Sequence, residues 1–412
     1  MKDLLPLLKT RIPGPKSRAL ARQLRHYESR NITYVSDHWP IFWQRAAGAN
    51  VWDVDGNRYI DLTAAFGVTN VGHTNPRVVA AIQKQAGQLL HAMGDVHPNE
   101  LKLKLARELV GLTFGRWNKS EGRVIFANSG AEAVEVATKT AAIHTKRPGI
   151  IAFEGAYHGL TYGALDTTWR ADFRSPFSKQ LGHFTAHVPF GRLPDVAKIQ
   201  DFGAVIVEPI QGRGGIVVPP NDFLPRLRRF CDDHGLVLIL DEIYTGFCRT
   251  GRWFACEHSG VVPDLVCVGK AMAGGFPISA CIGSAKVMDS WPESRGEAIH
   301  TSTFMGNPLG CAAALASVGE MKRLKLDARS RELGDWLAAR LARIGKVRGR
   351  GLMLGLEVDN AVPIIEKLLQ RGVLALPEGS QSEVLGLTPP LVITKRQLDH
   401  CLVALGDSIS HG

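Results

Sequence analysis

Long apolar runs are missing from this 412-residue chain, and no stretch approaches the length of a membrane span. The opening, MKDLLPLLKTRIPGPK, has too short an apolar run for a signal peptide and is broken at Pro6. Paired cysteines are missing as well. The seven cysteines, at 231, 248, 256, 267, 281, 311 and 401, are odd in number and show no C-x-x-C spacing. This excludes a disulfide framework and a zinc finger, and it favours reduced, mostly buried thiols in a cytoplasmic protein. The formal net charge is +10, yet no basic stripe is interleaved with aromatics, so neither nucleic acid nor a membrane is expected as a partner. No metal site, internal repeat or low-complexity segment is visible. The remaining composition, 45% hydrophobic and 21% charged, describes an ordinary soluble protein of two compact domains.

The chain starts with a polar, proline-punctuated arm and a short helix over residues 17–27. A hairpin is expected at 50–62, turning on Asp55-Gly56, because Asp-Gly between β-prone segments is a strong two-residue turn signal. Helices follow over 76–90 and 99–112. From about 120 to 310 the pattern is strand, turn, helix, repeated. Strands are expected at 123–126, 149–153, 204–207, 236–240 and 265–268, with a helix at 133–144. Uninterrupted apolar strands separated by helices predict a mainly parallel, doubly wound sheet covered on both faces. Further on come helices at 327–341, 361–371 and 395–405, strands at 351–358 and 373–376, and an edge segment at 385–392. The expected α/β architecture is a large domain, 65–320, and a small α+β domain built from both chain ends, 1–64 and 321–412.

In such sheets ligands collect where the strands end at their carboxyl edges. After the first large-domain strand comes Asn128-Ser129-Gly130-Ala131-Glu132. This turn runs into a helix, so it either caps the helix or holds a phosphate on free N–H groups. After the next strand stands Tyr157, either packing a loop or stacking on a flat heterocycle. Glu208 follows the strand at 204–207. Asp241 follows 236–240; it either caps what comes next or pairs with a ring nitrogen that must stay protonated. Lys270 closes LVCV, and a desolvated amine there either snorkels to solvent or forms a Schiff base. Phosphate cradle, aromatic face, buried carboxylate and lysine at one sheet edge are together what pyridoxal phosphate requires.

The motifs VWDVDGNRYIDL, FANSGAEAVEVATKTA, YHG at 157–159, VEPIQGRGG, LILDEIYTGFCRTG, VCVGKAMAGGFP, STFMGNP and RGRGLMLGLEV cover most of the chain. With them the sequence resembles the class III, fold-type I, pyridoxal 5'-phosphate-dependent aminotransferases. The resemblance implies Lys270 as the Schiff-base lysine and proton carrier, and Asp241 as partner of the pyridine nitrogen. It implies backbone phosphate contacts at Ser129, Gly130 and Ala131, and a ring held between Tyr157 and Ile243. Glu208 would line the substrate pocket. Thr303 would reach the cofactor of a neighbouring subunit, which implies a homodimer with a shared active site. The activity implied is transfer of an amino group between an amine or amino acid and a keto acid or aldehyde. Amino-acid racemases and epimerases of the same family are the alternative.

Three positions depart from the family pattern. Where many members carry an arginine before the C-terminal Pro-Pro-Leu, this chain has Gly386. Where acetylornithine-type and 4-aminobutyrate-type members have arginine after the aromatic-His-Gly motif, it has Leu160. The family glutamine after Asp-Glu is Tyr244. Two lost carboxylate clamps point away from 2-oxoglutarate, acetylornithine and 4-aminobutyrate and toward a less polar pocket or a substrate with a single carboxylate, with Arg170, Arg174 and Arg213 as candidate substitutes.

Overall fold

Strand formation begins near the N-terminus, where a computed structural model, describing residues 3–195 and 200–409, places β1 at Trp43–Ala47, β2 at Asn50–Asp53 and β3 at Arg58–Asp61. The β2–β3 connection is four residues long rather than two. Val51 pairs with Tyr59 and Trp52 with Arg58, while Asp53 Oδ1 accepts the N–H groups of Asp55 and Asn57. Asp55 has a second task. Its carboxylate accepts from the N–H groups of Lys16 and Ser17, closing the start of the helix Pro15–Tyr27 from across the chain.

Seven strands form the central sheet: β4 Gly122–Ala127, β5 Gly149–Phe153, β6 Thr185–Val188, β7 Phe202–Val207, β8 Val237–Asp241, β9 Leu265–Val268 and β10 Ser279–Ser284. Their spatial order is β4-β10-β9-β8-β7-β5-β6, and β10 alone runs against its neighbours. Alternate residues of one strand face opposite layers. Thus Leu265 and Cys267 of β9 pack with Ala133, Val134 and Ala137 of the helix Gly130–Thr145. Val266 and Val268 instead join Phe126, Phe254 and Met272 on the other face. Burial on both faces is why β8 and β9 read as continuous apolar runs. All seven cysteines are buried and unpaired.

The C-terminal part adds β11 Val347–Arg350, β12 Met353–Glu357, β13 Val373–Leu374, β14 Leu376–Glu378 and β15 Val384–Leu387. Two expectations change here. The strand expected at 373–376 divides: β13 pairs in parallel with β3, whereas β14 pairs with β15 in the antiparallel sheet β11-β12-β15-β14. The segment expected at an edge, β15, is flanked on both sides, with Pro389 and Pro390 falling after its last ladder bond, where a missing N–H does no harm. Helix ends also moved. The helix after Asn75 stops at Ala86, closed by the N–H of Gly87 rather than running to 90. The helix over 133–144 starts three residues earlier, at Gly130.

Candidate active site

Because six strands of the central sheet run the same way, their carboxyl ends line one edge. Asp241 is the last residue of β8, Glu208 follows β7 and Lys270 lies two residues beyond β9. A cavity of about 290 Å³ opens there. Its wall includes Gly130, Ala131, Tyr157, Glu208, Asp241, Ile243 and Lys270, seven of the positions expected from the sequence. Two expected positions lie elsewhere. Ser129 is exposed and caps the helix Gly130–Thr145 by accepting the N–H of Glu132 at 3.3 Å. Thr303 is exposed on a turn, outside the cavity, next to Ser302, whose hydroxyl accepts from Asn128 Nδ2 at 2.9 Å.

Lys270 has a left-handed backbone, φ 41°, strained for a side chain that is not glycine. Its Nζ makes no hydrogen bond or ion pair among the described residues and lies 4.7 Å from the centre of the Tyr244 ring. Burial pushes its amine below the ordinary lysine value, with Asp241, Glu208 and Glu378 acting in the other direction. Tyr244 is wedged in place: a Cβ on Gly67 or on Gly212 would meet its ring at 2.4 Å. Its hydroxyl lies 3.1 Å from Thr388 Oγ1.

Asp241 is 4% exposed. Its Oδ2 is 2.8 Å from His158 Nδ1, and its Oδ1 accepts the N–H of Ile243 at 3.0 Å. Both contacts orient the carboxylate. His158 Nε2 is buried without a hydrogen-bond partner among the described residues. Glu208 Oε1 and Oε2 accept the N–H groups of Tyr157 and Gly212, each at 3.0 Å, so this carboxyl fastens two walls of the cavity. Burial pushes it up to about 7, and Asp241 adds to the rise.

The positive end of a 16-residue helix faces the same cavity through Gly130 and Ala131, whose N–H groups have no carbonyl to reach within the helix. A Cβ at 130 would stand 2.9 Å from Ile243 Cδ1, so any larger residue there must displace that side chain. A helix N-terminus, the side chains of Tyr157 and Ile243, an oriented carboxylate and an amine therefore converge on one cavity. The arrangement fits pyridoxal phosphate.

Sequence reasoning left two contributors unassigned. His158 was visible in the YHG motif, but its task depends on contact with β8. Glu378 gave no signal; it is 6% exposed at the end of β14, and its Oε2 lies 3.9 Å from Nε of Arg213, another cavity-wall residue. The departures are also placed. Leu160 is 49% exposed at the cavity wall, and Gly386 sits in β15 beneath Glu378.

Comparison with known proteins agrees with this geometry. The sequence model of the class III aminotransferases matches residues 32–409. The chain is 41% identical over 379 residues to the acetylornithine aminotransferase of Methanopyrus kandleri, covering 90% of this chain and 95% of that one. It is 39% identical to the putrescine aminotransferase of Pectobacterium atrosepticum, covering 89% and 82%. Among solved structures, the ornithine aminotransferase of Toxoplasma gondii, with partial occupancy of PLP at its active site, superposes with a TM-score of 0.85 at 32% identity, over 95% and 94%. The fold is that of the fold-type I transferases, and these relatives do not favour the racemase alternative. The chain belongs to the class III aminotransferase family.

Proposed function

We propose that this aminotransferase takes the amino group from a primary amine at the end of a short aliphatic chain and delivers it to a keto acid or aldehyde, in the cavity floored by Lys270 and Asp241. The observation that carries this reading is the amine of Lys270, which has no hydrogen-bond partner among the described residues and shares one small cavity with a buried, oriented carboxylate. The cofactor is pyridoxal 5'-phosphate. When bound it supplies a carbonyl that condenses with amines and a ring that takes up an electron pair from the substrate carbon.

The residues have separate tasks. Gly130 and Ala131, beside the Ser129 cap, present N–H groups and the helix dipole to a phosphate. Tyr157 and Ile243 confine a flat ring. Asp241, steadied by His158 and the Ile243 N–H, offers its charge to a protonated ring nitrogen. Lys270 anchors the cofactor and afterwards carries the proton of the substrate carbon, for which a lowered amine pKa suits it. Glu208 keeps the Tyr157 and Gly212 loops together.

The donor class rests on chemistry shared by the substrates that name the relatives. Acetylornithine, ornithine and putrescine all end in a primary amine on a short carbon chain. For the acceptor, Leu160 and Gly386 leave Arg213 as the guanidinium lining the cavity, which suits a single carboxylate. A homodimer is supported by exposed apolar residues near Thr303: Leu90, Met93, Ile299 and Phe304 are 55–69% exposed. In that arrangement Thr303 reaches the neighbouring subunit's phosphate site, and Lys270 and Asp241 stay within one chain. A unit of residues 65–320 would carry the cavity, with 1–64 and 321–412 closing it. Seven buried free thiols suit the cytoplasm.

The test is a half-reaction. Cofactor-loaded protein is mixed with one primary amine and no acceptor, and the visible absorbance band is followed. Stoichiometric bleaching, reversed faster by pyruvate or an aldehyde than by 2-oxoglutarate, is expected. Racemisation of a single-enantiomer amino acid without bleaching would overturn the transferase reading, and faster reversal by 2-oxoglutarate would overturn the acceptor assignment.

A further inference from the structure

Beside the cavity a second charge pair joins the central sheet to the C-terminal sheet. Arg213 belongs to the loop after β7, and Glu378 closes β14. The two loops are tied by a backbone bond, the Gly379 N–H donating to the Arg213 carbonyl at 3.1 Å. The side chains are held less tightly. Arg213 Nε stands 3.9 Å from Glu378 Oε2, within ion-pair reach but beyond a hydrogen bond, and Arg213 keeps 39% of its side chain exposed. Glu378 Oε2 is buried with no hydrogen-bond partner among the described residues. A buried acceptor left unmet is costly, and a donor brought by a ligand removes that cost.

The position of Glu378 is also determined. A Cβ on Gly386 would stand 2.9 Å from Glu378 Cγ, so the glycine of β15 makes room for this side chain. Where many family members place an arginine, this chain therefore presents a carboxyl. Its field reaches the reaction centre, since Glu378 acts on both Lys270 and Tyr244. The other charges facing Glu378 are Arg213, Lys270, Arg170 and Glu208.

We propose that Glu378 is a specificity-determining residue that accepts the distal ammonium group of a diamine-type donor, with the loosely held Arg213 side chain moving aside toward solvent. The donor's reacting amine then lies at Lys270 while its second, charged nitrogen gives Glu378 Oε2 the hydrogen bond it lacks. A monoamine of the same length gains nothing there. This inference rests on the aminotransferase reading for its turnover arm, and its binding arm is independent of it.

The experiment compares diaminobutane with butylamine in the half-reaction, using the loaded wild-type protein and the Glu378→Gln and Glu378→Asp variants. Wild type is expected to favour the diamine. Glu378→Gln should lose about tenfold of that preference, the worth of one charge-assisted hydrogen bond. Butylamine rates carry whatever the lost charge does to Lys270, so the loss is read in the ratio of diamine to butylamine rates, and Glu378→Asp should recover part of that ratio. In parallel, calorimetry measures binding of N,N-dimethylbutylamine, a tertiary ammonium that cannot condense with a carbonyl. Glu378→Gln should weaken this binding about tenfold, with an unchanged melting temperature reporting an intact fold. Equal diamine preference and equal tertiary-ammonium binding in wild type and Glu378→Gln would overturn the proposal. If neither amine reacts with wild type but the tertiary ammonium binds in a Glu378-dependent way, the turnover reading fails and the recognition role stands.

Discussion

Lys270 and Arg249 are two cations withdrawn from water in the same protein, and their surroundings differ in kind. Arg249 is 0% exposed, yet its guanidinium donates to the carbonyls of Leu352 at 2.9 Å and Pro389 at 2.6 Å, and to the side-chain oxygen of Asn70. Burial still pushes it down to about 10. Its two terminal nitrogens donate to fixed oxygens from three distant segments, while its buried Nε has no partner among the described residues, so it stitches the Pro389-Pro390 segment and Leu352 to the core. Lys270 has an aromatic face, a strained backbone and a void beside it, and no hydrogen bond. A buried cation held by three hydrogen bonds reads as structural; one with no hydrogen bond among the described residues, beside a cavity, fits the chemical role proposed above.

That contrast can be broken experimentally. The largest expected effect is on turnover in Lys270→Ala, which should fall by about 10³-fold or more, since proton transfer by a placed group contributes on the order of 10²–10⁴ and anchoring is lost besides. Its melting temperature should be unchanged or higher, because a desolvated amine has been removed. Arg249→Met should do the reverse. It leaves three buried oxygens without a donor and should lose on the order of 3 kcal/mol or more in urea unfolding, while the protein that remains folded keeps near-wild-type specific activity. A stable but inactive Arg249→Met, or an unfolded Lys270→Ala, would dissolve the distinction.

Next in size is Asp241→Asn, which keeps the shape of the side chain and removes its charge. Turnover should drop by about 10²-fold with little change in stability, checked by single-turnover kinetics alongside thermal melts. Retained turnover would separate Asp241 from the chemistry.

The smallest effect concerns Glu242, the neighbour of Asp241 in the chain and its opposite in role. Its carboxyl accepts from the N–H groups of Ala255 and Cys256 at 3.0 and 2.8 Å and from Thr245, outside the cavity. Burial pushes it up to about 7 from 4.5, with those hydrogen bonds working against the rise. Between these two values the folded protein holds more protons than the unfolded chain, so stability must fall as pH rises through that window. Glu242→Gln should make the decline shallower without abolishing it, because Glu208 and Glu378 are raised into the same window. Urea unfolding at several pH values between 4 and 8, on the order of the range set by carboxyl titration, reads this slope. An unchanged slope removes Glu242 from the linkage.

Much of this molecule was legible before any coordinates. Periodicity and apolar runs located β5 and β9 to the residue, and motif order placed Lys270, Asp241, Tyr157 and Gly130 after strands of one sheet. The strand at 236–240 was displaced by one residue, so Asp241 itself completes β8. Strands that mix small and polar residues with few large apolar ones gave weaker signals, which is why β6 and β10 went unseen. The chain order of 373–378 was equally silent about its division between two sheets, because a strand of two or three residues carries too little pattern to declare its partner.

The sequence by itself brought the expected residues to the cavity floor, since each ends or follows a strand and parallel strands end together. Only the tertiary structure decided what surrounds that floor. His158 on Asp241, Tyr244 against Lys270 and Glu378 beside Arg213 are contacts between segments far apart in the chain. Local propensity carries no information about which distant loops will meet; packing of the two sheets does. The same holds for Arg249, whose motif resembles a functional signature and whose partners make it a structural tie.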